Sequence, residues 1–562
     1  MRCVRTDHHA RDLNVNKKQI SNRPEGYCPR TPNLDDFLSS THTARLHRFY
    51  SAASVCSPTR AAILTGRTNN RDCIDTALPC DNEDPAPTCS MGRYGGLPHT
   101  EFTFAKAAKK SKLGDYATIH LGKWHLGDLW DKRLPGMSPE KFSVSNPGHA
   151  GFDEWLTTQA EASNSDPNCG CFPVEHKNPD FKPPSGYDDI TPNGSSCVVG
   201  GGYESDWCYP CTNYYYPNAS DPKNVSALNY RVQGDDSEFI VNHFETFLNK
   251  RDRDERPWLA HLCFHAIHEP HPALPEYYNS YKYDQDYIGA LTQWDVQVGR
   301  LMSLLKEHNA YENTLILYSA DNGPHQGKER TDIRYSTRSL RQCKVCVFLS
   351  LSYTHTHTHT HTPQASMWEG GIRVPGAIFY PPLISRNLNI TMPTTSTDVL
   401  PTIMNVLQVE ESDNPSWTVD GLDLIPTIEF ALRNLTISRE KPIGFDSTGG
   451  QHALIDNKWK LLHNPGKGQC DFQPPYNSTN QTDLRDRYML FDLDLDPHEL
   501  HDISSENPDQ YETMMESLFS FLLSVRNSQV NETGCAAYHD ELRTVLSDYQ
   551  VSDGTLPRWA YD

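Results

Sequence analysis

Short apolar runs alternate along the chain with segments in which apolar residues recur every three or four positions. Residues 116–121, 258–264 and 313–319 have the length and composition of buried strands. Between the last two runs, apolar residues recur at helical spacing and form one stripe, which consists of Leu291, Trp294, Val298, Leu301 and Leu305. A similar stripe before residue 258 consists of Phe239, Ile240, Phe244, Phe247 and Leu248. Because strand-like and helical segments alternate, we predict an α/β fold with a large, mainly parallel sheet flanked by helices.

The C-terminal part follows a different pattern from about residue 415. Residues 452–462 predict a hairpin that turns at Asp456 and Asn457, and residues 488–492 predict another short strand. After Asn507-Pro508, a helical stripe is formed by Met514, Met515, Leu518, Phe521, Leu522 and Val525. We therefore predict a large domain over residues 31–414 and a smaller α+β subdomain over residues 415–562, with a short antiparallel sheet and a helix.

The charge balance excludes some classes of partner. The 562 residues include 51 basic and 72 acidic side chains, which gives a net charge of −21. Such a balance argues against binding to nucleic acid or to membrane surfaces. Since the sequence has no run of about 18 apolar residues, we also predict no membrane span.

Cysteine use and glycosylation acceptors indicate an oxidising compartment. Five of the sixteen cysteines cluster in one loop-like region, namely Cys169, Cys171, Cys197, Cys208 and Cys211. The spacing of Cys208 and Cys211 also fits zinc, but we favour disulfides. Asn-x-Ser/Thr acceptors support this choice and occur at Asn193, Asn218, Asn224, Asn389, Asn434, Asn477, Asn480 and Asn531. We predict a lysosomal or secreted protein, although residues 1–30 are polar and hold no apolar signal core.

The stretch Cys56-Ser-Pro-Thr-Arg60 predicts a reactive position at the start of a helix. Pro58 suits a first helical turn, the apolar residues after Arg60 continue the helix, and Gly66 can end it. Free N–H groups and the helix dipole favour an anion beside Cys56. A buried or disulfide-bonded Cys next to an ordinary helix cap is the alternative.

This stretch resembles the sulfatase signature, and further blocks resemble the same family. They are Thr31-Pro-Asn-Leu34, Gly122-Lys-Trp-His-Leu-Gly127, Ile267-His-Glu-Pro270, Ser319-Ala-Asp-Asn-Gly323 and Asp494-Leu-Asp-Pro497. The likeness is greatest to arylsulfatases and N-acetylgalactosamine-6-sulfatase relatives, within the alkaline-phosphatase superfamily. It implies hydrolysis of a sulfate ester in a sulfated small molecule or glycan.

The resemblance implies a nucleophile made from Cys56. A formylglycine-generating enzyme would oxidise Cys56 to formylglycine, and Arg60 would hold the hydrated aldehyde. One hydroxyl of the hydrate would attack sulfur, and the other would then lose its proton and expel sulfate.

It also assigns roles to four further side chains. Lys123 would bind the sulfate and the formylglycine, and His125 would orient or deprotonate the nucleophile's hydroxyl. His268 would contact the sulfate and help protonate the leaving alcohol, with Lys344 beside it. His is suited to such proton transfer near neutral pH.

Asp321 and Asn322 follow the strand-like run at residues 313–319, where open α/β sheets place ligand sites. Two hard oxygen donors suit Ca²⁺ or Mg²⁺, whereas a plain Asp-Asn-Gly turn is the alternative. The resemblance implies one Ca²⁺, also bound by the formylglycine at Cys56.

The family's opening strand and its Asp pair have no counterpart before Thr31, and Asp35-Asp36 is a weak substitute. We therefore interpret residues 1–30 as a mispredicted first exon, and whether residues 1–562 are active stays open.

Residues 345–364 consist of an apolar run, a Thr-His repeat and Pro-Gln. A His-rich metal tract is one interpretation. We prefer a retained intron, because Val and Gln codons can match intron boundaries and a CA repeat encodes Thr-His. Removal joins Lys344 to Ala365 and restores a block that resembles the sulfatase pattern Lys-x-x-x-aromatic-Glu-Gly-Gly-x-Arg.

The sequence thus predicts a sulfuric ester hydrolase of the arylsulfatase type. One alternative is an inactive sulfatase-like protein that binds glycans. Another is a phosphodiesterase or phosphonate hydrolase of the same superfamily. Neither the substrate nor an oligomeric state follows from the sequence.

Overall fold

A computed structural model describes residues 31–72, 74, 77–78, 96–127, 129, 145–158, short strands between 171 and 233, and residues 235–268, 277, 285–323, 367–410, 418–447, 451–463 and 488–527. Residues 1–30, Lys344 and the insert at 345–364 lie outside this part of the chain. The exon and intron interpretations therefore stay predictions.

The described helices are α1 (Pro32–Ser39), α2 (Cys56–Thr65), α3 (Phe104–Ala108), α4 (Ser237–Asp254), α5 (Gln285–Glu307), α6 (Glu369–Ile372), α7 (Val399–Leu407), α8 (Ile425–Leu432) and α9 (Pro508–Asn527). The described strands are β1 (Thr43–Tyr50), β2 (Ala117–Lys123), β3 (Glu154–Thr158), β4 (Cys171–Glu175), β5 (Glu204–Cys208), β6 (Cys211–Thr212), β7 (Tyr215–Pro217), β8 (Val225–Ala227), β9 (Val232–Gln233), β10 (Trp258–Cys263), β11 (Ile316–Ser319), β12 (Arg373–Phe379), β13 (Leu388–Ile390), β14 (Thr394–Thr395), β15 (Ile443–Ser447), β16 (Gln451–Asp456), β17 (Trp459–His463) and β18 (Tyr488–Asp492).

Two mixed sheets form the larger part of the described fold. One has the order β11-β12-β1-β13, with β14 also paired to β1, and the other has the order β10-β2-β3-β7-β8. Strand β12 runs antiparallel to β1 and to β11, whereas β10, β2 and β3 are parallel. The α/β class is confirmed. A single large, mainly parallel sheet is not confirmed, because β12 reverses direction and the described strands form two sheets.

The predicted strands and helical stripes lie close to their expected positions. Residues 116–121 and 258–264 correspond to β2 and β10, and the two stripes lie in α4 and α5. The run at 313–319 contains a shorter strand, because a 3-10 turn at Tyr311–Asn313 precedes β11. Side chains of α4 pack against β2 in one apolar core, to which Phe244 and Phe247 contribute.

A separate antiparallel sheet lies in the C-terminal part. Strands β15, β16, β17 and β18 pair in sequence order, and α9 packs against them through a core that includes Leu518 and Leu522. The β16–β17 hairpin turns at Asn457 and Lys458, one residue later than predicted. The division at residue 415 stays a prediction.

Several cysteine and glycosylation positions can be located only in part. The backbone register of β4 and β5 places Cys171 opposite Cys208, and the choice between disulfides and zinc remains open. Asn389 and Asn434 are exposed, as glycan acceptors must be, and the other predicted acceptors lie outside the described residues. None of the described helices is long and apolar enough to span a membrane.

Candidate active site

Cys56 is the first residue of helix α2. Val55 before it is extended, and the helix ends at Thr65, where the N–H of Gly66 bonds to the carbonyl of Ala62 at 2.9 Å. The predicted helix is confirmed and closes at Gly66 as expected, but it begins at Cys56 itself, whereas the sequence predicted Cys56 just before the helix N-terminus. The side chain of Cys56 is only 4% exposed. The helix N-terminus therefore faces a buried pocket, where its partial positive charge is weakly screened.

The surroundings of Cys56 keep an unmodified thiol protonated. Burial raises the pKa of the Cys56 thiol, although Lys123 acts in the opposite direction. The Nζ of Lys123 lies 3.8 Å from the Cys56 Sγ, and Lys123 is 2% exposed. Because the thiolate is the reactive form of cysteine, the unmodified side chain would be a weak nucleophile.

Arg60 connects the two strand ends that border the pocket. Its Nη1 donates to the carbonyl oxygen of Lys123 at 2.8 Å, and its Nη2 donates to Oδ2 of Asp321 at 2.8 Å. Burial alone would raise the pKa of Asp321, but Arg60 and Lys123 lower it to about 2. Asp321 is therefore ionised, and the guanidinium fixes its position through a charge-assisted hydrogen bond.

In the Gly-Lys-Trp-His block, close packing around Gly122 and Trp124 explains why these two residue types are needed. Gly122 has a φ of +98°, and a Cβ there would lie 2.0 Å from the carbonyl oxygen of Cys263 on the neighbouring strand. Trp124 is buried, and its indole N–H donates to the carbonyl of Ser145. Gly122 and Trp124 thus fix the backbone on either side of Lys123, which lines the pocket.

His125 is held as a neutral imidazole. Its Nε2 lies 2.8 Å from the carbonyl oxygen of Leu78, which can only accept, so Nε2 carries the hydrogen and Nδ1 the lone pair. Burial, and then Lys123 and Arg60, lower the pKa of His125 well below its usual value. Nδ1 is buried and has no hydrogen-bond partner among the described residues. His125 also has a φ of +57°, a strained conformation of the kind found at functional sites.

Asp321 and Asn322 supply oxygen atoms that fit a hard divalent cation. The Nδ2 of Asn322 donates to the carbonyl of Gly323 at 2.5 Å, whereas its Oδ1 is buried without a partner in the described part of the chain. A buried amide oxygen without a partner is a candidate metal ligand. Only one formal negative charge, that of Asp321, comes with this pair of donors. The oxygen donors of Asp321 and Asn322 are therefore of the type that Ca²⁺ prefers, but two residues are fewer than the ion needs.

The turn after Asp321 packs against the Glu-Gly-Gly block. The N–H of Gly323 bonds to the carbonyl oxygen of Gly371 at 2.9 Å, and a Cβ on Gly323 would lie 2.3 Å from the carbonyl oxygen of Gly370. Two sequence blocks on either side of the insert at 345–364 thus meet at the site.

The remaining predicted residues have mixed outcomes. His268 follows β10, and its N–H bonds to the carbonyl of His265 at 2.7 Å. It lines the same cavity as Cys56 and Asp321. Lys344 lies outside the described residues. Asp35 and Asp36 lie on helix α1, where Asp35 occupies the first turn and Asp36 is exposed.

Sequence reasoning missed a buried ion network beneath the site. Lys460 is fully buried, and its Nζ lies 3.1 Å from Oε1 of Glu369 and 2.7 Å from Oε1 of Glu499. Glu369 also accepts a hydrogen bond from the Tyr50 hydroxyl at 3.1 Å. The Glu-Gly-Gly block is thereby attached to the C-terminal sheet, since Lys460 lies on β17. A lysine in a short hairpin strand usually faces solvent, so the sequence carries no signal for such partners.

Two histidines without a predicted role also have buried partners. His265 pairs with Asp236 through Nδ1 and lies 2.9 Å from Oγ1 of Thr158 through Nε2. His261 lies 3.1 Å from Nδ1 of His120 and 3.1 Å from the Sγ of Cys263.

The His120, His261 and Cys263 side chains could place three ligand atoms around a metal. However, burial, and then Arg60, lower the pKa of His261 to about 3, and burial raises the pKa of Cys263 to about 11. Neutral imidazoles and a protonated thiol can satisfy one another as a hydrogen-bonded chain.

The comparisons with known proteins agree with these blocks. A family model described as Sulfatase matches residues 22–409. Steryl-sulfatase of Rattus norvegicus is 26% identical over 438 residues, which cover 71% of this chain and 66% of the relative, just under two thirds of its length. Arylsulfatase A of Homo sapiens is 24% identical over 482 residues, which cover 84% of this chain and 78% of the relative. The solved structure of Ps i-CgsB in complex with k-i-k-neocarrahexaose has a TM-score of 0.57 at 20% identity, and the match covers 91% of this chain and 92% of that one. Because the family model matches more than half of the chain, this protein belongs to the sulfatase family.

Proposed function

We propose that the protein hydrolyses sulfate esters through a formylglycine made from Cys56. The observation that supports this most is the position of Cys56 at a buried helix N-terminus, with Lys123 Nζ 3.8 Å from its sulfur and Arg60 bonded to Lys123 and Asp321. This pocket concentrates positive charge in a protein whose net charge is −21. Such a pocket suits a small, strongly anionic group.

Each side chain has a task that its contacts allow. When formed, the hydrated aldehyde at position 56 supplies the attacking hydroxyl. The lone pair on Nδ1 of His125 can accept a proton, because Nε2 is committed to Leu78. Lys123 and Arg60 offset negative charge that develops on the sulfuryl oxygens.

Two further side chains complete the proposed machinery. His268, which lines the cavity, is proposed to protonate the leaving alcohol, and Lys344 is proposed beside it. Asp321 and Asn322 would hold Ca²⁺, which supplies further positive charge to the sulfate when bound.

The proposed substrate is a sulfated small molecule or glycan. A structurally similar protein was solved in complex with k-i-k-neocarrahexaose, and two relatives are named steryl-sulfatase and arylsulfatase A. We also propose a lysosomal or secreted location, maturation by a formylglycine-generating enzyme, disulfides in the cysteine-rich region and glycosylation at the predicted acceptors. Cysteine usage and the exposed Asn389 and Asn434 support this set.

A pair of matched substrates tests the proposal. The chain is produced together with a formylglycine-generating enzyme, and the release of a nitrophenol from its sulfate ester is compared with release from the corresponding phosphonate monoester, with Ca²⁺ present. We expect preference for the sulfate ester, loss of activity in Cys56→Ala and retention in Cys263→Ala. Preference for the phosphonate ester, or activity that survives Cys56→Ala, would contradict the proposal.

A further inference from the structure

Three side chains without a task in the proposed mechanism meet on one face of the β2–β10 pair. The parallel register places His261 directly opposite His120, and Cys263 opposite Gly122. Cys263 lies two residues after His261, so both side chains project from the same face of the strand. Gly122 adds no side chain across from Cys263. The backbone alone therefore brings two imidazoles and one thiol together.

The three side chains offer ligand atoms at distances close to those of a metal site. Nδ1 of His120 lies 3.1 Å from Nδ1 of His261, and the Sγ of Cys263 lies 3.1 Å from Nε2 of His261. One atom from each residue can be chosen so that all three lie within 4.8 Å of one another. Metal–nitrogen and metal–sulfur bonds of about 2.0 and 2.3 Å set such atoms about 3.3–3.8 Å apart. Rotation of the half-buried His261 and Cys263 side chains is enough to cover the difference.

A hydroxyl group behind His120 fixes which of its ring nitrogens faces the cluster. The Oγ1 of Thr157 donates its hydrogen to a backbone carbonyl, with that of Gly122 at 2.7 Å and that of Thr158 at 3.1 Å. The same oxygen lies 3.4 Å from Nε2 of His120, and it can only accept there. Nε2 therefore carries the hydrogen, and the lone pair is on Nδ1, toward His261. A metal-binding histidine is usually oriented by its second nitrogen in this way.

Aromatic rings wall the cluster on one side, and a cavity borders it on the other. His120 packs edge-on against Trp124, and His261 packs edge-on against Phe104, with ring centroids 5.1 and 5.2 Å apart. His261 and Cys263 line the cavity of the candidate active site, which gives an ion a route to them. An aromatic wall supplies none of the oxygen ligands that Ca²⁺ or Mg²⁺ requires, so the surroundings favour a soft ion.

The local charge favours a monovalent ion. Burial raises the pKa of the Cys263 thiol and Arg60 opposes this effect, so the guanidinium charge already acts at the sulfur. Cu⁺ bound to one thiolate and two neutral imidazoles has no net charge. A divalent ion would leave a second positive charge near Arg60, which is 7% exposed, and unpaired buried charge is costly. Two imidazoles and one thiolate are also a ligand set that copper takes in trigonal sites.

We propose that His120, His261 and Cys263 form a binding site for one Cu⁺ ion. On binding, the thiol of Cys263 loses its proton to solvent and a copper–sulfur bond forms, while lone pairs of the two imidazoles complete the site. The copper keeps its oxidation state. Without the ion, the same groups satisfy one another as a hydrogen-bonded chain. The proposal does not depend on sulfate ester hydrolysis.

Competition with a coloured chelator provides the test. Residues 1–562 are titrated without oxygen against the Cu⁺ complex of bathocuproine disulfonate, and loss of its colour reports transfer of copper to the protein. Cys263→Ser keeps a hydroxyl that can donate to His261 but removes the thiolate, so this variant should take up one equivalent of copper less than the parent. Cys56→Ser makes the same change at the other free thiol of the described residues and should take up copper as the parent does. Circular dichroism verifies that each variant is folded.

X-ray absorption at the copper edge identifies the ligands of that equivalent. The parent should show one sulfur and two nitrogen neighbours, and equimolar Zn²⁺ should not displace the copper. Equal uptake by the parent and by folded Cys263→Ser, or copper bound by sulfur alone, would overturn the proposal. Displacement by equimolar Zn²⁺ would overturn the assignment to a monovalent ion. Cys56→Ser cannot form formylglycine, so its copper uptake separates failure of this proposal from failure of the proposed catalysis.

Discussion

Replacement of Lys460 by Met should destabilise the fold strongly and in a pH-dependent way. The ammonium group lies between the carboxylates of Glu369 and Glu499, at 3.1 and 2.7 Å, and all three side chains are fully buried. Removing one partner from such a network leaves uncompensated buried charge and costs about 3–5 kcal/mol. We therefore expect a loss of this size in the free energy of unfolding at pH 8.

The pH dependence follows from the two carboxyl groups. Burial raises the pKa of Glu499 to about 7, against the opposing effect of Lys460, and Lys460 helps to keep the pKa of Glu369 below its usual value. Without the ammonium group, burial is no longer opposed by Lys460, and the pKa of each acid rises in the folded state. The folded variant then binds more protons than the unfolded chain at neutral pH, so its stability falls as pH rises. The loss should be smaller at pH 5 than at pH 8.

Lys458→Met is the matched control. Lys458 is two residues away on the same hairpin, 42% exposed, and 2.6 Å from Asp492. The ammonium group of Lys458 is exposed, and Asp492, which is 6% exposed, also accepts from the N–H groups of Asp494 and Leu495, so we expect the loss of Lys458 to cost about 1 kcal/mol or less. Urea unfolding of the parent and both variants, followed by tryptophan fluorescence at pH 5 and pH 8, measures the difference. A Lys460→Met loss below about 1 kcal/mol, or one equal at both pH values, would refute the argument.

Two further predictions concern the transcript and the activity. Mature transcripts should join codon 344 to codon 365, because the intervening segment has intron-like ends and its removal restores the Lys344 block. Sequencing of reverse-transcribed RNA across this junction measures the outcome. Uniform retention of the Thr-His repeat would show that the segment is not an intron. Residues 1–562 should hydrolyse aryl sulfate slowly and respond weakly to Ca²⁺, because Asp321 is the one carboxylate that the described site offers the cation. Kinetic assays with and without a chelator measure the response, and robust, calcium-dependent turnover would make Asp35 and Asp36 candidate ligands again.

The local features of the site could be predicted from sequence. Helix α2 depends on neighbours in the chain, such as Pro58 in its first turn and Gly66 after its last, so its position was clear. Strands β2 and β10 were equally clear, because each is a short run of mostly apolar residues.

Long-range partners could not be predicted. Asp295 accepts hydrogen bonds from the N–H groups of Asn33 and Leu34 and so caps α1 from 261 residues away in sequence. The Leu78 carbonyl, which fixes the tautomer of His125, is a backbone group that no motif records. Such contacts depend on how distant elements pack, and a single sequence carries no signal for them.

The chemical state of residue 56 tests the central claim most directly. The protein is collected from cells whose formylglycine-generating activity is verified on a second, co-produced sulfatase, and the tryptic peptide spanning residues 49–60 is analysed by mass spectrometry. We predict an aldehyde at position 56 that reacts with a hydrazide reagent, while Cys263 in the same sample remains a thiol. Material that contains only the unmodified thiol or a disulfide at Cys56 would contradict a formylglycine-dependent function.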